Sequence, residues 1–200
     1  MDAFSQSRRQ MGEKIEQLLH QHSPTPILKT EITYQPTPWL EGGILWRIRD
    51  IGWDQCAVMF MLGHLPSRIM VRLDGSSQPI HQFNQRVSLQ IKKKSHALSY
   101  AKFFGDFVHG EAGAFRIVED TFDLLTCETR GQAISEKYGE LLGKTKIKSC
   151  KKGWKLKTNV LYGATLFKAK FQIHPGGMLE MLDDKLLADG IPASSLLKLI

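Results

Sequence analysis

One stretch of the chain, residues 144–179, alternates lysines with apolar residues and contains no acidic side chain. Its nine lysines are Lys144, Lys146, Lys148, Lys151, Lys152, Lys155, Lys157, Lys168 and Lys170. Within 167–173 the apolar residues share one parity, whereas Lys168 and Lys170 share the other. A period of two with apolar residues on one side is typical of a half-buried strand in an antiparallel sheet. The stretch therefore predicts a strand meander with a core face and a lysine face.

The positive charge of the protein is concentrated in this stretch. The 200 residues include 27 Lys+Arg and 20 Asp+Glu, for a formal net charge of +7. Removing the nine lysines leaves 18 basic against 20 acidic residues. Lysine contacts with phosphates release counterions, so the stretch predicts salt-sensitive binding to an acidic partner. The alternative is a solvated face that maintains solubility and protects the sheet from edge pairing.

The same stretch argues against recognition of a particular base sequence. It contains no arginine, the residue that contacts guanine or phosphate through two parallel hydrogen bonds. Its lysine-parity positions carry no aromatic side chain on which bases could stack. Any nucleic acid is therefore expected to bind through its backbone.

Composition places the chain among ordinary globular proteins, with 42% hydrophobic residues. Its apolar runs are far shorter than the roughly 20 residues of a membrane helix, and its N-terminus does not predict a signal peptide. Cys56, Cys127 and Cys150 are widely spaced and form no Cys-x-x-Cys pair, which predicts neither a disulfide framework nor a zinc site. We expect a cytoplasmic protein with reduced thiols, no cofactor and no metal.

The order of predicted elements indicates an α+β fold, in which helices cover antiparallel β-meanders. Apolar periodicity predicts helices at 2–22, 96–109, 132–142 and, at the C-terminus, 192–200. Ser95 is the predicted cap of the second helix, and Gly110 its predicted stop. Before the lysine meander, strands are predicted at 27–34, 44–51, 56–62, 68–73, 87–91 and 114–119.

We expect a single domain, 1–200. A further hypothesis is that it consists of two related halves, 1–92 and 93–200. Residues 45–49 (LWRIR) resemble residues 166–170 (LFKAK) in their alternation. Chance similarity between alternating segments is the alternative explanation. A duplicated sheet would carry basic side chains from both halves on its outer face: Arg47, Arg49, Lys168 and Lys170.

Asp106, His109 and Glu111 form the best acid–base cluster in the sequence. If residues 96–109 are helical, Asp106 and His109 lie three apart on one face. A carboxylate beside an imidazole raises its pKa, as a general base requires. The alternative is a histidine at a helix C-terminus, where the helix dipole favours a cation.

The leading functional hypothesis is a non-enzymatic binding or adaptor module. Its partner would be a nucleic-acid backbone or an acidic protein. The predicted anion-binding residues are Lys146, Lys148, Lys155, Lys157, Lys168, Lys170, Arg47 and Arg49. Two alternatives stay open: a small enzyme or ligand-binding protein with a pocket near Asp106, His109 and Glu111, and a structural homo-oligomer with a solvated basic face.

Overall fold

The computed structural model describes residues 3–23, 26–54, 56–124, 137–191 and 198–199. Helices and mainly antiparallel sheets form the framework of the described chain, which confirms the predicted α+β class. The chain divides into two compact units, one comprising Met1–Gln90 with Leu197–Ile200, the other Ile91–Leu196.

The first unit consists of a helix on an antiparallel meander. Its elements are α1 (Ala3–His22), β1 (Thr30–Pro36), β2 (Gly43–Asp50), β3 (Ala57–His64), β4 (Ile69–Leu73) and α2 (Gln78–Asn84). The predicted apolar stripe of α1 is confirmed at Met11, Ile15 and Leu19, which are buried in a core shared with Trp46 and Met61. The predicted hairpin of 56–62 and 68–73 is confirmed as antiparallel β3 and β4.

The second unit is built on a six-stranded antiparallel sheet. Its elements are α3 (Lys94–Phe107), β5 (His109–Gly110), β6 (Gly113–Val118), β7 (Lys146–Cys150), β8 (Gly153–Tyr162), β9 (Thr165–Ile173) and β10 (Leu179–Ala188). The strand order is β10-β9-β8-β6-β5, and β7 also pairs with β8. β6 pairs with residues 159–162 of β8 and β7 with residues 153–157, so both lie along the same edge of β8.

Helix α3 packs on one face of this sheet because its apolar residues meet those of the strands. Phe104 of α3 and Ile117 and Phe171 of the sheet are all buried. At Gly105 the helix lies so near to the sheet that an added Cβ would overlap the carbonyl oxygen of Phe115. Only a glycine allows α3 to lie this near to β6.

A second, smaller core closes part of the opposite face of the sheet. It consists of Val118, Leu124, Tyr138, Leu161, Leu166 and Ile191, all buried. Leu166 belongs to the lysine parity of β9 and is nevertheless 0% exposed. The lysine face is therefore confined to one end of the sheet.

The structure corrects several predicted boundaries. Residues 87–91 form no strand, and the predictions missed the short helix α2. Helix α3 begins at Lys94 after Lys93, not after Ser95, and ends at Phe107, before Gly110. Of the predicted helix at 132–142, residues 132–136 lie outside the described residues and Gly139–Leu141 form a 3-10 turn.

The predicted terminal helix is wrong where the chain is described. Lys198–Leu199 form β11, which pairs in parallel with Ala57 and Val58 of β3. Residues 192–197 and 200 lie outside the described residues. Apolar periodicity over nine residues fits either a helix or a docked strand, and pairing with a distant strand decided the outcome.

The spacing of the strands agrees with the sequence echo between the two halves. The first residues of β1, β2 and β3 (30, 43 and 57) precede those of β8, β9 and β10 (153, 165 and 179) by 123, 122 and 122 positions. Each set is an antiparallel meander. Duplication of the chain stays a prediction.

Candidate functional site

Strand register brings the lysines of β7, β8 and β9 side by side. Lys146 lies directly opposite Lys157, which in turn lies directly opposite Lys170. Residues directly opposite on neighbouring strands point to the same face, with Cβ atoms about 5 Å apart. The three side chains therefore form a row across the strands.

Further lysines flank this row on the same side of the sheet. Lys148 lies opposite Lys155, and Lys168 lies opposite Lys185 of β10. We define the lysine face by its seven lysines: Lys146, Lys148, Lys155, Lys157, Lys168, Lys170 and Lys185. The sequence predictions missed Lys185 because β10 extends to Ala188, beyond the lysine-rich stretch that ends at residue 179.

The lysine face contains little compensating negative charge. Lys170 Nζ lies 2.6 Å from Asp183 Oδ2, and this hydrogen bond holds the pKa of the Asp183 carboxyl below its usual range. Within the described ranges, neither Lys146 nor Lys157 has an ion pair. Like charges directly opposite on a sheet destabilise it. An anion bound over this row would remove that repulsion.

Lys168 experiences the field of the neighbouring lysines. It is half-buried, and its Nζ donates a hydrogen bond of 2.8 Å to Oδ1 of Asn159. Burial lowers the pKa of the Lys168 ammonium, and repulsion from Lys157 and Lys146 lowers it further. Asn159 is itself 0% exposed, and its Nδ2 has no hydrogen-bond partner among the described residues.

At the β7 edge the lysine face continues into a cleft of about 440 Å³. The cleft lies between the first turn of α3 and β7. Its lining consists of Lys94, Ser95, Leu98, Thr145, Lys146, Ile147 and Lys148. Two lysines of the face, Lys146 and Lys148, therefore also line the cleft. Lys94 ends the run 92–94 of three lysines, a signal that the sequence contains and that the predictions did not use.

The predicted acid–base residues do not form the expected helical pair. Asp106 is in the last turn of α3, His109 in β5, and Glu111 in the exposed turn between β5 and β6. The imidazole Nε2 of His109 lies 3.2 Å from the backbone oxygen of Asp106, not from its carboxylate. His109 lies outside the helix because the backbone is already extended at Val108.

The Asp106 carboxyl has an altered environment. Partial removal from water raises its pKa, against the attraction of Arg116 and Lys102. The residue is nevertheless exposed to solvent, which limits the size of such a shift. A raised carboxyl pKa without a hydrogen bond to the imidazole does not by itself indicate catalysis.

A cavity of about 200 Å³ lies between α3 and the sheet, near this cluster. It is lined by Ala101, Phe104, Gly105, Val108, Phe115, Ile117, Phe171, Leu179 and Met181. None of the three predicted acid–base residues is among them. A ligand pocket normally adds a few convergent polar groups to an apolar wall, and this lining supplies no polar side chain.

Arg47 and Arg49 do not share a sheet with the lysines. Both lie half-buried in β2 of the first unit, opposite Thr33 and Glu31 of β1. The expected single outer face that joins these arginines to Lys168 and Lys170 is therefore wrong as a description of one sheet. Their participation in anion binding stays a prediction.

Two further features bear on the class of protein. Among the described helices, none has the length and apolar character needed to cross a membrane. No group of three His, Cys, Asp or Glu side chains in the described ranges is placed to bind a metal ion. The chain matches no protein-family model, no curated protein and no solved structure.

Proposed function

We propose that this protein is a binding module that engages a polyanion through its lysine face. The observation that carries the proposal is the row of Lys146, Lys157 and Lys170. Three ammonium groups stand directly opposite one another, and only Lys170, at one end, has an ion pair with a described residue. Such a row is unfavourable to the folded protein and favourable to a bound anion.

Four exposed lysines are available for this contact without breaking an ion pair to a described residue: Lys146, Lys148, Lys155 and Lys157. Each phosphate neutralised by a lysine changes the slope of log K against log salt by about −0.7 to −0.9. Four contacts would give a slope of about −3, with the dissociation constant of about 10⁻⁴ to 10⁻⁶ M that is typical of non-specific binding. The expected interaction is weak and strongly dependent on salt.

The environment of Lys168 supports the same proposal. Its ammonium is held by Asn159 and lies within the field of Lys157 and Lys146. A bound anion would lower that local positive potential and raise the pKa of Lys168. The lysine face and its ligand would therefore be coupled through this half-buried ammonium.

The test is retention on an immobilised single-stranded DNA column during a salt gradient. The informative variant is Lys146→Glu with Lys157→Glu, because these two side chains lack an ion pair within the described residues. Its matched control is Lys151→Glu with Lys152→Glu, which changes the net charge equally in the exposed turn between β7 and β8.

We expect the wild type and the control to elute at similar salt, and the row variant to elute well before both. Equal loss of retention in the two variants would mean that net charge alone determines binding to the column. That result would contradict a binding site formed by the lysine face. Elution of the wild type at the lowest salt would leave the lysines as a solvated surface and refute the proposal.

A further inference from the structure

We infer that the bound polyanion is the backbone of a single-stranded nucleic acid, which crosses the strands of the lysine face and enters the cleft between α3 and β7. This inference rests on the proposed function and adds a ligand class and a path. It is carried by the position of the cleft, the charges at the two ends of the lysine row and the chemistry of the cleft lining.

The row has one closed end and one open end. At β10, Asp183 forms an ion pair with Lys170, and its carboxylate would repel an approaching phosphate. At β7, Lys146 lines the cleft together with Lys94. Neighbouring strands are about 4.8 Å apart, so the path from Lys170 to Lys146 spans about 10 Å before it reaches the cleft. Along this row, positive charge is thus continuous toward the cleft and ends at Asp183 on β10.

The cleft lining favours a nucleotide over a carboxylate-rich protein segment. Lys94, Lys146 and Lys148 supply ammonium groups and Ser95 an exposed hydroxyl, all of which can donate to phosphate oxygens. Leu98 and Ile147 add half-buried apolar surface in the same cleft. A sugar or base can contact that apolar surface, whereas the carboxylates of an acidic protein segment cannot pack against it.

A duplex fits this path poorly. Double-stranded DNA has a persistence length of about 50 nm and cannot bend into a cleft at the edge of a sheet. A single strand is flexible enough to follow the row and then turn into the cleft. Without arginine in the meander or an aromatic side chain among these lysines, the binding is expected to tolerate any base sequence.

The experiment measures fluorescence anisotropy of labelled oligothymidylate, with a duplex of equal length and polyglutamate as competitors, between low and moderate salt. Three single variants are compared: Lys94→Ala in the cleft, Lys157→Ala in the row, and Lys151→Ala as the control in the exposed turn. Circular dichroism of each variant verifies that it is folded.

The expected result is that Lys94→Ala and Lys157→Ala each reduce the salt slope by about 0.7, while Lys151→Ala leaves it unchanged. Neither competitor should displace the oligothymidylate as well as unlabelled oligothymidylate does. If Lys157→Ala weakens binding and Lys94→Ala does not, the ligand stays on the sheet, and the path into the cleft is wrong although the proposed function stands. If the duplex or polyglutamate competes equally, the ligand class is wrong. If labelled oligothymidylate does not bind but labelled duplex or polyglutamate does, the ligand class is wrong and the proposed function stands; absence of binding to all three refutes both.

Discussion

The lysine row predicts that removing its central charge will stabilise the protein while weakening binding. In Lys157→Met the aliphatic stem is retained and the ammonium is lost. Lys157 lies opposite both Lys146 and Lys170. If the ammonium groups splay to about 8 Å, each repulsive pair is unfavourable by about 0.5 kcal/mol in a water-like dielectric. Two pairs give about 1 kcal/mol, reduced by the lost attraction to Asp183.

We therefore expect Lys157→Met to raise the free energy of unfolding by about 0.5 kcal/mol at low salt. At 1 M salt the screening length falls to about 3 Å, so the difference should vanish. Lys151→Met, in the exposed turn, should change the stability little at either salt.

The suitable assay is native-state hydrogen exchange of the paired amides in β8 and β9. The chain has two compact units, and three of its four tryptophans, all except Trp154, lie in the first. Tryptophan fluorescence would therefore report mainly on the unit that lacks the lysine face, whereas exchange of these amides reports locally. A variant less stable than the wild type at low salt, with a difference that salt does not change, would contradict the like-charge reasoning.

Two further predictions concern the scaffold that holds the lysine face. Burial raises the pKa of Glu119, but a backbone amide and Lys102, 3.1 Å away, outweigh it and leave the pKa lowered. The Glu119 carboxylate therefore stabilises the folded protein fully above the unfolded pKa of about 4.3, and this stabilisation is lost as the pH falls through the folded pKa. We expect Glu119→Gln to be less stable than the wild type by about 1 kcal/mol at pH 7 and equally stable in acid. Urea titrations at both pH values test this expectation. Gly105→Ala should destabilise the second unit by about 1–3 kcal/mol because its Cβ would overlap the carbonyl of Phe115, whereas Gly12→Ala, with open space at its Cβ, should be neutral or stabilising in thermal melts. Equal effects of the two glycine substitutions would show that helix propensity, not the close approach of α3 to β6, decides the outcome.

Local patterns predicted the elements that carry their own periodicity. Alternation in residues 144–179 predicted the meander, and the stripe of Met11, Ile15 and Leu19 predicted α1. Both patterns arise because one side of the element is buried and the other is solvated. The position of Leu166 was not predictable in this way, because the small core over that end of the sheet is formed by residues distant in sequence.

The acid–base cluster illustrates a local error with a functional consequence. Spacing places Asp106 and His109 on one helix face, but the helix ends between them, at Phe107. Glycine at position 110 suggested a later end, whereas pairing of β5 with β6 required extended backbone from Val108 onward. A shift of two residues in one boundary removed the shared helix face of Asp106 and His109, and the imidazole contacts the backbone oxygen of Asp106 instead.

The sequence by itself determined the fold class, the concentration of positive charge in one stretch and the presence of a lysine-bearing face, because charge and two-residue periodicity are properties of contiguous residues. Tertiary structure alone decided which lysines stand together. Register placed Lys157 between Lys146 and Lys170, added Lys185 to the face, and set Lys94 beside β7 in a common cleft. Register and helix packing depend on contacts between residues far apart in the chain, and no local pattern specifies them.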